Sequence, residues 1–414
     1  MFAGGFCGNN TDTMRHAPTL PHHVAFAFAL VACGDGGRNG PAEFVPVDNG
    51  APLEITTVFT AGESGYHTFR IPAIVRAADG TLLALAEGRV HSAADHGDID
   101  LVLKRSPDHG QTWEPLQVVA DLGQDTIGNP MPIVVRESGR VVLPLTSNRG
   151  EDILPEINMG TGEPRRIWVT HSDDHGANWE PLREISDTTR QEGFLWYATG
   201  PGHGLQLSRG PHAGRLIAAC DHSEGDWMGQ EFLHTHLLLS DDLGQTWRIG
   251  AVGEPVAGAI APNESSALEL ADGRIYVNSR NEQRGGASRA IAFSSDGGES
   301  LDGGYSLEPA ITTAVVQGSV LQYSATDRGA AKNRLIYTGP AHPEERREMR
   351  VRLSVDEAQT WDEGVVIHDG PAAYSDPVVT ADSRVGVLFE AGDEERNYAR
   401  IDFARFGILW LEAQ

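Results

Sequence analysis

Arginine, acidic and tyrosine side chains stand in short motifs beside predicted strands. Arg70 lies in the motif FRIP, Arg89 in EGR, Arg280 in VNSR and Tyr374 in AAYSD. Guanidinium groups bind carboxylates through paired, charge-assisted hydrogen bonds, and a phenol becomes a nucleophile when an adjacent base activates it. A single arginine more often forms a surface ion pair, and a single tyrosine beside a strand more often packs in the core. The elements that bring these residues together therefore decide their chemistry.

An octapeptide with the pattern Ser-x-Asp-x-Gly-x-Thr-Trp occurs five times in decaying form. The copies begin at Ser106, Ser172, Ser240, Ser294 and Ser354. Their spacing gives a repeat unit of about 60 residues. In each copy we expect the aspartate to accept backbone N–H bonds, the glycine to adopt a positive φ and the tryptophan to pack under the turn. Two copies depart from the pattern, with Ala358 in place of the glycine in the fifth and Leu301 in place of the tryptophan in the fourth.

A second turn signal between apolar runs precedes several octapeptides, so each unit is predicted to hold two hairpins, which make a four-stranded sheet. Dividing the residues after position 50 by the unit length gives close to six units. The sequence therefore predicts an all-β fold, a six-bladed β-propeller of four-stranded antiparallel blades, as one domain over residues 51–414. Because the sixth blade lacks an octapeptide, we expect it to combine strands near 385–411 with a strand near 53–59.

Composition agrees with many short strands and limits the partners. The chain has 48 glycines and 23 prolines, which is typical of a protein with many tight turns. A formal net charge of −26 argues against nucleic acid as a partner. An anionic ligand would need a local arginine cluster, which is feasible because salt screens the general field over roughly 8 Å. Three cysteines, Cys7, Cys33 and Cys220, show neither metal-binding spacing nor a disulfide framework, and we predict no metal and no cofactor.

The N-terminal segment has features of an export signal. A short apolar run, VAFAFALVA, covers residues 24–32 behind Met14-Arg15-His16, and it ends at Cys33 in a pattern similar to a bacterial lipoprotein signal. The run is too short to span a bilayer as a helix. Residues 1–33 are predicted to be the export segment and 34–50 a flexible tether. Lipid attachment at Cys33, an ordinary cleaved signal peptide and a start at Met14 remain alternatives. Both signal alternatives place the protein in the periplasm, outside the cell or on the outer membrane.

The octapeptides resemble the Asp-boxes of the bacterial exo-α-sialidase family, and FRIP, about 36 residues before the first of them, is similar to that family's (F/Y)RIP motif. The resemblance covers nearly everything from Tyr66 to Leu411. It implies a glycoside hydrolase that removes terminal sialic acid from glycoproteins, glycolipids and oligosaccharides, with sialylated glycans as partners. A monomer is expected, with membrane attachment only through a lipidated Cys33.

The resemblance implies three arginines that bind the sugar carboxylate. Arg70 matches the first through FRIP and Arg280 the second through VNSR. The lead into the last Asp-box places the third at Arg346, and a slip of one residue would choose Arg347. Glu390, in the segment LFEAG, matches the glutamate that orients the first arginine.

The family's catalytic acid is an aspartate on a loop after an E-G-R strand end. Asp95 fits best here, and Arg89 of the same motif is expected among the substrate-binding residues. Asp98 and Asp100 are the rivals, although Ile99 to Leu103 alternates like a strand, which leaves Asp95 in the loop.

Tyr374 matches the family's nucleophile, and Glu264, in PNES, matches its glutamate partner. Most glycosidases use two carboxylates, whereas sialidases are an exception with a tyrosine. The anomeric carbon of sialic acid already bears a carboxylate that would repel an incoming anion. A neutral phenol avoids this repulsion but needs a base, which Glu264 would supply.

Three other functions fit the same motifs. A trans-sialidase would share all these residues and differ at the acceptor site. A hydrolase of a related nonulosonic acid, such as the deaminated sugar, would differ at the N-acyl pocket. A non-catalytic sialic-acid-binding propeller would be expected to lose Asp95, Glu264 or Tyr374, and all three are present.

Overall fold

The computed structural model describes residues 44–225, 233–282 and 287–414. All of them fall within one compact unit that runs from Gly40 to Gln414. In the part of the chain described, β-strands dominate and the helices have at most five residues. The strands are β1 (Glu54–Thr60), β2 (Thr68–Arg76), β3 (Leu82–Arg89), β4 (Ile99–Ser106), β5 (Gln117–Ala120), β6 (Thr126–Gly128), β7 (Ile133–Val134), β8 (Val141–Asn148), β9 (Arg166–Ser172), β10 (Arg183–Glu184), β11 (Tyr197–Thr199), β12 (Leu205–Gln206), β13 (Leu216–Ser223), β14 (Leu233–Ser240), β15 (Arg248–Gly253), β16 (Pro262–Glu269), β17 (Ile275–Asn281), β18 (Ser288–Ser294), β19 (Ser306–Thr312), β20 (Ser319–Ser324), β21 (Arg334–Pro340), β22 (Arg347–Ser354), β23 (Val365–Val379), β24 (Arg384–Ala391) and β25 (Arg400–Gly407). The α-helices are α1 (Leu154–Asn158), α2 (Ser186–Thr189) and α3 (Ile408–Glu412), and single 3₁₀ turns cover Gly210–His212 and Thr326–Arg328.

These strands form four sheets. Their orders are β1-β25-β24-β23-β22-β21-β20, then β10-β9-β8-β6-β4-β3-β2 with β5 on β4 and β7 on β8, then β11-β13-β14-β15 with β12 on β13, and last β16-β17-β18-β19. Neighbouring strands are antiparallel apart from one parallel bridge between Ile99 and Thr126. The prediction of an all-β, antiparallel architecture is confirmed.

The inner strands are buried on both faces. All eight residues of β3, with the sequence LLALAEGR, are buried, and so are all eight of β8 and of β13. A strand covered on both sides has a nearly continuous apolar sequence, which explains why apolar and polar residues do not alternate in these segments. Polar residues that interrupt such a run lack solvent, so they need partners within the protein.

The N-terminal and C-terminal strands close the fold as predicted. β1 pairs antiparallel with β25, and Glu54 lies opposite Arg405. β25 in turn pairs with β24. The predicted C-terminal boundary was too long, because the strand ends at Gly407 and residues Ile408–Glu412 form a short helix.

The octapeptides form tight turns stabilised by their own side chains. In the third copy, the Asp242 carboxylate accepts hydrogen bonds from the backbone N–H of Thr246 at 2.8 Å and from the hydroxyl of Ser240 at 2.9 Å. The backbone N–H of Gly244, whose φ is +88°, donates to the Ser240 hydroxyl at 2.8 Å. Trp247 is buried beside the turn. The octapeptide is therefore a structural element.

The fifth octapeptide keeps this turn despite its alanine. Ala358 adopts a left-handed φ of +62° and its N–H donates to the Ser354 hydroxyl at 3.0 Å. In the fourth copy, Leu301 packs against the core cluster that includes Tyr305. Both departures preserve the geometry of the turn.

Part of the predicted tether contacts the sheets. Asp48 forms an ion pair with Arg334 at 2.8 Å, and the ring of Phe44 lies 3.8 Å from the Arg76 guanidinium. Residues of the predicted tether between positions 44 and 50 therefore pack against the sheets. The predicted export segment, Cys33 included, lies outside the described residues, and none of the helices described has the length and apolar character needed to cross a membrane.

Candidate active site

Seven of the eight predicted site residues line one cavity of about 200 Å³. They are Arg70, Arg89, Asp95, Glu264, Arg280, Arg346 and Tyr374. The eighth, Glu390, is completely buried directly behind Arg70. A larger cavity of about 460 Å³ lies near Arg76 at the other end of β2 and contains none of these residues.

Irregularities in three strands direct side chains into the cavity. The pairing register of β2 shifts after Arg70, that of β16 shifts across Glu264, and that of β23 shifts across Tyr374. Such bulges re-aim side chains and are common beside active sites. In β2 the bulge places Ile71 at a φ of +59°, a conformation that a β-branched residue rarely adopts. The backbone is thus strained where it presents Arg70.

Glu390 fixes the first arginine. Its Oε1 atom accepts hydrogen bonds from Arg70 Nε at 2.7 Å and from the backbone N–H of Ile71 at 2.8 Å, and its Oε2 accepts from the backbone N–H of Tyr374 at 3.2 Å. Burial disfavours the charge on Arg70, but Glu390 outweighs that effect and raises the pKa of the guanidinium. The buried glutamate therefore joins two bulged strands and holds Arg70 charged.

Tyr374, Glu264 and Arg280 form a connected group. The Tyr374 hydroxyl donates to Glu264. Arg280 Nη1 donates to the other carboxylate oxygen of Glu264 at 2.8 Å and to the Tyr374 hydroxyl at 3.2 Å. Burial, followed by the nearby Glu264 charge, raises the pKa of Tyr374 well above its usual value. The phenol is therefore neutral at rest, with a carboxylate placed to take its proton.

The structure separates the two candidates for the third arginine. Arg346 lines the cavity, with its guanidinium carbon 5.9 Å from the Tyr374 ring centre, and it donates to the carbonyl oxygen of Val315 at 3.1 Å. Arg347 is the first residue of β22 and is exposed, 3.6 Å from Glu345. The geometry favours Arg346.

Asp95 lies at the mouth of the cavity on the loop between β3 and β4. Its side chain is 71% exposed, and its Oδ1 accepts from Arg89 Nη1 at 2.6 Å and lies 4.0 Å from Arg70 Nη1. Desolvation opposes ionisation of Asp95, but Arg89 and then Arg70 overcome it and lower the pKa. Neither rival lines the cavity: Asp98 accepts from the Gln124 side chain, and Asp100 accepts from Tyr66 within β4.

Sequence analysis did not select several further residues of the cavity, among them a buried arginine, a tryptophan and a buried aspartate. Arg165, Trp196 and Asp221 line it beside the predicted set. Arg165 precedes β9 and is 2% exposed, and Asp221 lies in β13 and is 1% exposed. No motif marks them, although an aspartate inside the apolar run LIAAC-D is a signal, because a buried charge needs a reason.

The all-β fold and this tyrosine–glutamate pair among three arginines match what the sequence resemblance implied. Comparisons with known proteins identify the family. A family model described as a BNR repeat-like domain matches residues 80–387, more than half of the chain. An exo-alpha-sialidase of Aspergillus fumigatus is 31% identical over 378 residues, which cover 84% of this chain and 86% of that protein. A sialidase of Micromonospora viridifaciens is 31% identical over 414 residues, which cover 95% of this chain and 61% of that protein.

Solved structures show the same fold. The Hadza microbial sialidase Hz136 superposes with a TM-score of 0.72 at 22% identity, over 86% of this chain and 69% of that one. The fold is thus the β-propeller of these enzymes. The chain belongs to the sialidase family.

Proposed function

We propose that this protein is a retaining exo-α-sialidase that hydrolyses terminal sialic acid from glycoconjugates. Its family membership supports the activity. The observation that carries the mechanism is the hydrogen bond from Tyr374 to Glu264 inside a cavity lined by Arg70, Arg280 and Arg346. A tyrosine nucleophile distinguishes sialidases from most glycosidases.

The three arginines bind the carboxylate of the sugar. Guanidinium groups match a planar carboxylate with two donors each, which lysine cannot do. Glu390 occupies only the Nε of Arg70 at 2.7 Å, so the outer nitrogens of that guanidinium are directed to the cavity. Because the carboxylate is attached to the anomeric carbon, holding it places that carbon near the Tyr374 oxygen.

In the first step, Tyr374 attacks the anomeric carbon and Glu264 takes the phenolic proton. The bond to the leaving oxygen breaks, and Asp95 donates its proton to that oxygen. The product of this step is an aryl glycoside in which the Tyr374 oxygen is bonded to the anomeric carbon.

In the second step, Asp95, now ionised, takes a proton from a water molecule that attacks the anomeric carbon. The bond to Tyr374 breaks and Glu264 returns the proton to the phenol. Two inversions give net retention, so the first product is the α-anomer.

Asp95 must be protonated to act as an acid, whereas Arg89 and Arg70 lower its pKa. A bound substrate carboxylate would neutralise part of the charge on Arg70, and the sugar would cover the exposed Asp95 side chain. Both changes raise the pKa of a carboxyl group. Substrate binding is thus expected to prepare the acid.

The test is hydrolysis of a fluorogenic α-sialoside, with the released sugar followed by NMR. We expect sialic acid with the α-anomer formed first. First-formed β-anomer would contradict the double displacement, and no cleavage of any sialoside by folded protein would favour a non-catalytic binding propeller.

We also propose that the propeller has six four-stranded blades. Two features support this count. The long strand β23 pairs with β22 through its first half and with β24 through its second, so the seven-stranded sheet divides into two sets of four. A single bridge joins β4 to β6, so the largest sheet divides likewise. With the two remaining sheets the total is six blades.

Export remains a proposal that rests on the apolar run before Cys33 alone. We propose that the protein is exported from the cytoplasm and acts on sialylated glycans outside it. Labelling of expressing cells with a palmitate analogue tests lipid attachment, since Cys33→Ala would remove the label if Cys33 is the anchor. Label that persists in Cys33→Ala would contradict this.

A further inference from the structure

Two buried side chains in the cavity have polar atoms without partners, and the mechanism above uses neither. Within the described residues, both carboxyl oxygens of Asp221 and the Nε of Arg165 lack a hydrogen-bond partner. Asp221 is 1% exposed and Arg165 is 2% exposed, yet both line the cavity. Leaving such groups unsatisfied costs stability. Their polar atoms are therefore available to hydrogen-bond a ligand.

Asp221 is held by its strand at the wall of the cavity. Its backbone lies opposite Ala198 of β11, which also lines the cavity. Burial is the main influence on its carboxyl, and the charge of Glu264 acts in the same direction, while Arg165 and Arg280 oppose them and Glu282 adds to them. The balance raises the pKa of Asp221 well above its usual value. This direction favours the neutral carboxylic acid, which both donates and accepts hydrogen bonds.

Arg165 is fixed on three sides. Its Nη1 donates to the Asn129 side chain at 2.9 Å and to the carbonyl oxygen of Tyr197 at 3.1 Å, and its guanidinium lies 4.3 Å from the Trp196 ring centre. Burial lowers its pKa to about 10, so it stays charged at neutral pH. The N–H on Nε has no partner and is held in a fixed direction by these contacts.

The unpartnered atoms suit one kind of group. Asp221 and Arg165 influence each other electrostatically but make no hydrogen bond or ion pair with each other, so a small group can lie between them. A hydroxyl oxygen accepts from Arg165 while it donates to or accepts from Asp221.

We propose that Asp221 and Arg165 form a subsite that binds a hydroxyl group of the substrate sugar. This inference rests on the proposed function. The hydroxyl can come from the polyhydroxylated side chain of the sugar or from its C5 substituent, and the experiment separates these sources. Asp221 acts here as a neutral partner, so its charge is not required.

The experiment compares kcat/KM of wild type, Asp221→Asn and Asp221→Leu on four aryl α-glycosides. They carry N-acetyl, N-glycolyl or hydroxyl at C5, and the fourth is the N-acetyl sugar with a shortened side chain. Leucine removes both hydrogen-bonding oxygens, and we expect it to cost about 10- to 100-fold on substrates that present the hydroxyl and less than about twofold on those that lack it. The substrate on which the loss disappears identifies the source.

Asparagine is the conservative variant. It keeps an uncharged donor and acceptor, so Asp221→Asn should retain most activity at neutral pH. As a matched control, Asp100→Asn changes a buried carboxyl outside the cavity, and it should leave the ratios between substrates as in wild type. Thermal melting checks that each variant folds.

Equal losses for Asp221→Leu on all four substrates would overturn the inference, because a merely structural residue would not discriminate among them. A loss for Asp221→Asn as large as that for Asp221→Leu would also contradict a neutral role. If wild type cleaves no substrate, the proposed function fails. The subsite is then tested by calorimetric binding of the four free sugar acids, and it is refuted if Asp221→Leu binds them in the same order and with the same affinities as wild type.

Discussion

The octapeptide turns and the active-site cavity both depend on hydrogen bonds to carboxylates, but the partners are close in the chain in the turns and far apart in the cavity. Asp242 finds its partners within four residues of the chain, at Ser240 and Thr246. In the cavity, Tyr374 reaches Glu264 across 110 positions and Arg70 reaches Glu390 across 320. A local network forms wherever its motif occurs, whereas the cavity exists only once the blades have closed. Stability and chemistry should therefore respond to different substitutions.

The largest effect is expected from Tyr374→Phe. Removal of the hydroxyl deletes the nucleophile, and we expect kcat/KM to fall by at least about 10³-fold on every sialoside. Thermal melting should stay near wild type, since the ring remains. A loss below tenfold would contradict the assignment of Tyr374 as the nucleophile. It would also contradict the expected difference between substitutions in the cavity and substitutions in the turns.

Arg70→Lys is next. Lysine keeps the charge but loses the paired donors, and it cannot reproduce the geometry of the Glu390 contact, so we expect a loss of about 10²-fold in kcat/KM. Binding of a planar, dehydrated sialic-acid analogue should weaken in parallel.

Arg346→Ala should cause a severe loss of kcat/KM and Arg347→Ala a mild one. The reverse result would show that the third arginine is displaced by one residue.

Asp95→Ala should lower kcat/KM to different extents on substrates with different leaving groups. A basic leaving oxygen needs a proton and an activated aryl oxygen does not, so the loss on sialyl-lactose should exceed that on an aryl sialoside by at least about tenfold. Asp98→Ala is the control and should be mild on both. Equal losses for Asp95→Ala on the two substrates would remove it as the acid.

The turns should show the opposite pattern. At Gly110, which has a φ of +84°, an added Cβ would lie 2.1 Å from the Phe403 ring, and we expect Gly110→Ala to lower the free energy of unfolding by about 2–4 kcal/mol. The kcat/KM of the remaining folded protein should be unchanged. Denaturant titration and activity assays on the same sample measure both quantities.

The smallest effect is expected at the aberrant turn. Ala358 already takes the left-handed conformation with its methyl group buried. Ala358→Gly would relieve the backbone strain, which stabilises the fold, and would remove the buried methyl group, which destabilises it. The change in the free energy of unfolding should stay within about 1 kcal/mol. A larger loss would mean that this turn depends on its alanine.

These differences also explain what could be predicted from the sequence. The turns, the strands and the pairing of β1 with β25 follow from local patterns. The motifs located the candidate site residues. The choice between Arg346 and Arg347 required the structure, which shows that β22 begins at Arg347 and that Arg346 lines the cavity. Asp221 and Arg165 have no local motif, because only the packing of β11, β13 and the residue before β9 creates their environment. The contact between Asp48 and Arg334, which are 286 positions apart, has no local signal either.

The most direct test of the mechanism is covalent trapping with a 2,3-difluorinated sialic acid. Such a sugar forms the glycosyl-enzyme faster than it is released, and peptide mapping by mass spectrometry locates the bond. We expect one adduct per chain, on Tyr374, and none in Tyr374→Phe. An adduct on Glu264 or Asp95, or persistent labelling of Tyr374→Phe at another residue with wild-type kinetics, would contradict it.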